Sequence, residues 1–259
     1  MCYDLDSSPP MLAGPGSVAT SGHLAIESGD GTRFSAFQAR PDGAAAAAVL
    51  VLPDVRGLVP YYVDLTCRLA EHGFDALAID YFGRTAPPAE DRPADFEYHP
   101  HVDATTFAQL GGDVRAAAGR LRTDSADPDR PLFAIGFCFG GRLSFLSATL
   151  ELGLAGAIGL HSGLGPRNDL PAPADRASQM EGSVLGLFGG ADPSVPSEAV
   201  AAFDAALETA GVDHRFVTYP GVPHSFFDRK WEEYAAASSA AWAEVLAFIG
   251  GRAIPAGES

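Results

Sequence analysis

Six consecutive apolar residues, Ala47-Ala48-Val49-Leu50-Val51-Leu52, end abruptly at Pro53. A run this short and unbroken lacks the alternation of a half-solvated strand, and it predicts a strand covered on both faces. A strand of that kind needs partners buried in the same way. The chain offers Phe74–Ile79, Leu132–Gly136, Ala155–Leu160, Val184–Phe188 and His214–Tyr219. Between them lie segments of helical character: Tyr61, Leu65, Cys67, Leu69 and Ala70 closed by Gly73, then about Ala104–Arg122, Gly141–Leu150, Ser197–Ala210 and Trp231–Ile249. Strand and helix alternate throughout, so the expected class is α/β, a mainly parallel central sheet with helices on both faces. One antiparallel pair precedes it, because His23–Glu27 and Arg33–Gln38 flank the hairpin signal Ser28-Gly29-Asp30-Gly31. Residues 1–22, with Pro9, Pro10, Gly14, Pro15 and Gly16, read as an N-terminal extension without a core element. A single domain is expected over 23–252 and a tail over 253–259.

Composition narrows the partners. With 33 acidic residues against 17 Lys and Arg, the formal charge is −16, and such a surface repels a phosphate backbone. No nucleic acid is expected. The longest apolar run, Ala44–Leu52, falls far short of the ~20 residues of a membrane helix, and the first residues lack the basic and apolar regions of a signal peptide. The expectation is a soluble cytoplasmic protein, monomer or homodimer, with no membrane partner. Cys2, Cys67 and Cys138 form no CxxC pair, which predicts reduced thiols and neither disulfides nor a zinc site. The Pro-, Asp- and Glu-rich stretch from Phe82 to Val102 is a candidate pocket wall.

The chemistry centres on Gly136-Phe137-Cys138-Phe139-Gly140-Gly141, placed where a buried strand gives way to a helix. This is a nucleophile-elbow pattern with Cys in place of Ser. A sharp strand-to-helix turn strains its central residue, and side chains on either side of it would collide with neighbouring strands. The pattern requires an acid and then a histidine, each after a later strand. Asp192, in Gly189-Gly190-Ala191-Asp192-Pro193, and His224, in Pro223-His224-Ser225-Phe226-Phe227, stand in that order. Blander readings exist for each: a small buried Cys in a Gly-rich turn, a helix-capping Asp before Pro, and a loop His.

These motifs, over about residues 22–250, resemble the dienelactone hydrolase family of α/β-hydrolases, which is distinguished by a cysteine nucleophile. The resemblance implies an α/β-hydrolase fold and Cys138 as nucleophile. It implies His224 as base, Asp192 as the residue orienting that base, and the amides of Val55 and Phe139 as an oxyanion hole. It implies no metal, no organic cofactor and a small ester or lactone as substrate. Where family members have a Glu in the early loop, this chain has Asp54, two residues from Arg56, so a loop salt bridge is the competing reading. Family members that act on dienelactone also carry arginines that grip the substrate carboxylate, one in the loop before the long middle helix and another just after the catalytic His. Here the middle loop offers Glu97, His99 and His101, and Asp228 stands at the second position, with Arg229 one step away. Tyr81, Phe82, Arg84 and Phe226 are further candidates for substrate contact because they follow strand ends or flank the triad. Competing functions are a general carboxylesterase or thioesterase, and a non-catalytic small-molecule-binding module on the same fold.

Overall fold

The computed structural model describes residues 3, 4, 6–10, 14–124 and 127–253. Strands β1 (Val18–Glu27) and β2 (Arg33–Pro41) form the expected hairpin, and β3 (Ala47–Leu52) leads into α1 (Pro60–Glu71) and β4 (Phe74–Ile79). A short α2 (His99–Asp103) and a long α3 (Phe107–Thr123) precede β5 (Leu132–Phe137), α4 (Phe139–Ser147) and β6 (Leu154–Leu160). The chain then forms β7 (Ser183–Gly189), α5 (Ser197–Ala210), β8 (His214–Tyr219) and α6 (Ala235–Ala253). The eight strands lie in the order β1-β2-β4-β3-β5-β6-β7-β8. The pairs β1–β2 and β2–β4 are antiparallel and every later pair is parallel. All the parallel strands therefore end at one edge, where open α/β sheets bind ligands.

Although the inner strands read as continuous apolar runs, their side chains alternate strictly between two cores. Ala48, Leu50 and Leu52 of β3 pack with Leu110, Val114 and Phe145 of α3 and α4. Ala47, Val49 and Val51 pack with Tyr62 and Leu65 of α1 and with Trp242 and Val245 of α6. A hexamer with no polar alternation is thus what a two-sided sheet demands.

The edges of elements depart from expectation for local reasons. Helix α3 starts at Phe107 rather than near Ala104, because the Thr106 hydroxyl accepts from the Gln109 amide and the Gln109 side chain returns a bond to Thr106, a capping box. Helix α4 starts two residues early, at Phe139, directly after the turn at Cys138. The terminal helix begins at Ala235, behind a 3-10 turn over Glu232–Tyr234. The larger correction concerns residues 1–22. β1 begins at Val18, and Tyr3 is only 4% exposed, a member of the core on the α1 and α6 side. Prolines and glycines there prevent helix without preventing burial. Among the described residues, no helix is long and apolar enough to cross a membrane.

Candidate active site

Between β5 and α4 a single residue makes the turn. Cys138 has φ 53 and ψ −108, a conformation that a residue with a β-carbon adopts only when its surroundings hold it. Here the Cys138 amide donates to the Leu160 carbonyl at 3.0 Å, and its own carbonyl accepts from the amides of Arg142 and Gly163 at 3.3 and 3.4 Å. The flanking glycines are required by close approach. A β-carbon at Gly136 would lie 2.0 Å from the Gly140 carbonyl oxygen, and one at Gly140 would lie 2.1 Å from the carbonyl oxygens of both Leu52 and Pro53. That second contact presses the start of α4 against the loop after β3, which carries Val55. Among the described residues, neither the Val55 nor the Phe139 amide has a hydrogen-bond acceptor. Phe139 is the first residue of α4, where amides point outward and the helix dipole is positive.

Asp192 follows β7 and His224 follows β8, and the two loops are stitched together. The amide of Gly190 donates to Tyr219 and that of Ala191 to Val222, at 2.8 and 2.9 Å. This stitching brings Asp192 Oδ2 to 2.5 Å from His224 Nδ1, with both residues buried. Asp192 Oδ1 meanwhile accepts from the Ser194 amide at 2.8 Å. The aspartate therefore makes the turn expected of an Asp-Pro loop and also holds a histidine. The bond to a carboxylate fixes which nitrogen of His224 faces Asp192 and so sets the orientation of the ring. Cys138, Asp192 and His224 all follow C-terminal ends of parallel strands at the same sheet edge.

The remaining candidates divide. Asp54 and Arg56 pair with each other, Asp54 Oδ2 with Nη2 at 2.9 Å and Oδ1 with Nε at 3.1 Å, both residues buried. The Asp54 amide donates to Tyr62 Oη at 3.0 Å. The loop-salt-bridge reading thus describes their geometry. Tyr81 Oη donates to the Pro53 carbonyl at 2.8 Å and its ring meets Phe139 edge-on at 5.4 Å, so it braces the two loops bearing Val55 and Phe139. Phe226 is fully buried and packs near His161 and Tyr219.

The others lie elsewhere. Arg84 is spent on Asp113, at 2.6 and 2.8 Å, and on Asp30. Phe82 is core, with Arg92 above its ring. His101 stacks on Phe96 and reaches Thr85 Oγ1, and His99 lies exposed against Tyr98. The cavity bordered by Tyr81, Arg84 and His101 holds about 10 Å³, room for roughly one water. Arg229 is exposed, with its amide donating to the Ser8 carbonyl at 3.0 Å. Among the described residues, no group of three or more His, Cys, Asp and Glu could hold a metal ion.

Three residues escaped the sequence reading. Arg142 stands one helical turn after Cys138, is 7% exposed, and donates from Nε to the Gly165 carbonyl at 2.9 Å. Burial lowers its pKa to about 10, opposed by attraction to Cys138 and reinforced by repulsion from Arg167. No acid pairs with it among the described residues. A lone arginine in the apolar helix Phe139–Ser147 was the available signal. His161, buried beside His224, and Tyr3, buried beside His161, left none, because only the fold brings them there.

Comparison with known proteins places this geometry. The profile of the dienelactone hydrolase family matches residues 34–252. A candidate carboxymethylenebutenolidase of Methylorubrum extorquens is 31% identical over 215 residues, covering 80% of this chain and 72% of that protein. One of Salmonella typhimurium is 29% identical over 224 residues, covering 85% and 82%. Among solved structures, a candidate dienelactone hydrolase from Klebsiella pneumoniae superposes with a TM-score of 0.79 at 27% identity, covering 89% of this chain and 98% of that one.

Proposed function

The chain belongs to the dienelactone hydrolase family, and from that premise we propose that it is a cysteine-dependent hydrolase of small carboxylic esters or lactones. Cys138 is the nucleophile, His224 the base and Asp192 the residue that orients His224. The observation that carries this reading is the bond between Asp192 Oδ2 and His224 Nδ1, formed at the sheet edge where the strained Cys138 also stands.

His224 Nε2 takes the thiol proton, and the Cys138 sulfur attacks the carbonyl carbon. The carbonyl electron pair moves to oxygen, giving a tetrahedral oxyanion that the amides of Val55 and Phe139 stabilise. When the adduct collapses, the C–O bond to the leaving group breaks, and His224 returns its proton to the departing alcohol or enol. A thioester remains. Water, deprotonated by His224, attacks that thioester; the acid leaves and the thiol is restored. Because a thiolate leaves a tetrahedral adduct more readily than an amine, amides revert to starting material, and esters, enol esters and lactones are the productive substrates.

Two features bear on substrate choice. Asp228 is buried where the resemblance expects an arginine, and accepts from the amides of Ser8 and Lys230. It cannot grip a carboxylate. Arg142 supplies a cation next to Cys138 instead, so an anionic substituent on the substrate is favoured. A general esterase acting on neutral substrates is the second reading, supported by Asp228.

The test compares a short aryl ester, a neutral enol lactone and a carboxylated dienelactone with wild type, Cys138→Ala and Arg142→Met. Turnover lost in Cys138→Ala, with preference for the carboxylated lactone lost in Arg142→Met, is the expected result. Equal turnover of neutral esters by wild type and Arg142→Met moves the function to the general esterase. Unchanged turnover in Cys138→Ala sinks the triad, and tight binding without turnover of any substrate leaves a binding module.

A further inference from the structure

The reaction just described uses neither His161, which is buried against its base, nor Tyr3, which is buried against His161. His161 follows β6 with φ 39, a backbone value that a β-carbon resists, and it is fully buried. Neither of its ring nitrogens has a hydrogen-bond partner among the described residues. A polar ring kept in such a place asks for a reason. Its ring meets that of His224 edge-on, with centroids 4.7 Å apart and planes at 66°. On its other sides stand Tyr3 at 5.5 Å, Phe137 at 6.0 Å and Phe226 at 6.2 Å. Burial, with His224 adding to it, holds the His161 pKa well below the ordinary histidine value, so it meets His224 as a neutral ring.

Tyr3 arrives on an N-terminal strap, described over residues 3, 4 and 6–10, whose fastenings converge on the two loops that matter most. Tyr3 stacks on Tyr61 at 4.1 Å, and the Asp4 carbonyl accepts from Arg56 Nη1 at 3.0 Å, beside Val55. Lys230 Nζ reaches Asp4 and Asp6 at 2.6 and 2.9 Å, and the Ser8 amide and carbonyl bond Asp228 and Arg229, all shortly after His224.

An imidazole does its work only in one plane, and a ring turned about the bond that Nδ1 donates to Asp192 Oδ2 no longer aims Nε2 at the sulfur. We propose that His161 and Tyr3 are positioning residues, with Tyr3 wedging His161 against His224 so that the base keeps the plane in which it serves Cys138. The inference rests on the triad reading.

Tyr3→Ala, Tyr3→Phe, Tyr3→Leu, His161→Ala and the double alanine variant are made in the full chain. They are assayed well below their unfolding temperatures for kcat, KM and the pH dependence of Cys138 alkylation by iodoacetamide. Tyr3→Ala and His161→Ala should each lower kcat about ten- to a hundredfold, the scale of a misaimed reacting group, with little change in KM. The double variant should be no worse than the poorer single one, because both act through one contact. Tyr3→Phe, which keeps the ring, should restore kcat; Tyr3→Leu keeps the core filled and should not, which covers the case in which alanine does not fold. A lowered unfolding midpoint with unchanged kcat and alkylation profile in the Leu and Ala variants would overturn the inference, as would strict additivity. If no ester or lactone is turned over even by wild type, the hydrolase reading fails by itself. The alkylation profile then still decides whether Tyr3 and His161 govern the Cys138–His224 pair.

Discussion

The turn at Cys138 and the seat of His224 stand at the same sheet edge yet are held in different ways. Around Cys138 the contacts are backbone against backbone: Gly136 against Gly140, Gly140 against Leu52 and Pro53, and the Cys138 amide and carbonyl bonded to Leu160, Arg142 and Gly163. Around His224 they come from separate parts of the chain: Asp192 after β7, His161 after β6, and Tyr3 and Ser8 from the N-terminal strap. A turn locked by backbone contacts on several sides has little freedom to adjust. A seat gathered from distant segments can loosen by degrees, so perturbation should be abrupt in the first region and graded in the second.

The sharpest contrast is chemical. Cys138→Ala and His224→Ala should each lower kcat/KM by about 10³-fold or more while circular dichroism and unfolding midpoint stay near wild type. Retention of activity in either well-folded variant would remove it from the reaction. Next comes Gly140→Ala, whose new β-carbon meets two backbone oxygens that cannot swing aside. It should cost about 3 kcal/mol or more of unfolding free energy, the upper range of overpacking, read by urea denaturation. A cost below about 1 kcal/mol would mean that the turn adjusts after all and that the contrast is false.

The seat of His224 should respond to pH. Because His161 stays neutral in the fold far below 6.5, the unfolded chain alone takes up a proton there as pH falls through 6.5. The unfolded state then binds more protons, so stability declines as pH drops below 6.5, and above that value His161 contributes no slope. His161→Phe should flatten the unfolding midpoint between about pH 6.5 and 5 relative to wild type. Identical slopes would show His161 charged or solvated in the fold.

Cys67→Ala should have the smallest effect. Cys67 lies in α1, half-buried and packed against the core, and burial, with Asp64 and Glu71, raises its pKa. It should therefore react with iodoacetamide near neutral pH more slowly than Cys138, and its replacement should change kcat less than twofold and stability by about 1 kcal/mol. A larger loss of turnover than Cys138→Ala would reverse the assignment of the nucleophile.

Much of this protein is legible without coordinates. The hexamer Ala47–Leu52 announces a two-sided strand because both cores demand apolar side chains, and Gly136 and Gly140 announce a turn that admits no β-carbon. The capping box at Thr106 was also written in the chain, since Thr and Gln three residues apart satisfy each other's amides. Other residues could not be read this way. Arg84 and His101 follow a strand end or lie in a loop as plausibly as any pocket residue, yet Arg84 is taken by Asp113 and His101 by Phe96. Asp54 could have been a switch or a salt bridge, and only the position of the Arg56 side chain distinguishes the two.

What the sequence by itself determined was the α/β class, the hairpin ahead of it, and the order Cys138, Asp192, His224, each after a strand, on which the proposed triad rests. Each depends on periodicity or on spacing within a few residues. Tertiary structure alone decided that Arg142 has no acid paired with it among the described residues, that His161 faces His224, and that Tyr3 is core rather than loose extension. The reason is the range of the interactions. Backbone sterics and hydrophobic periodicity act between near neighbours in the chain, while burial, charge pairing and ring packing depend on which distant segments the sheet order β1-β2-β4-β3-β5-β6-β7-β8 sets side by side.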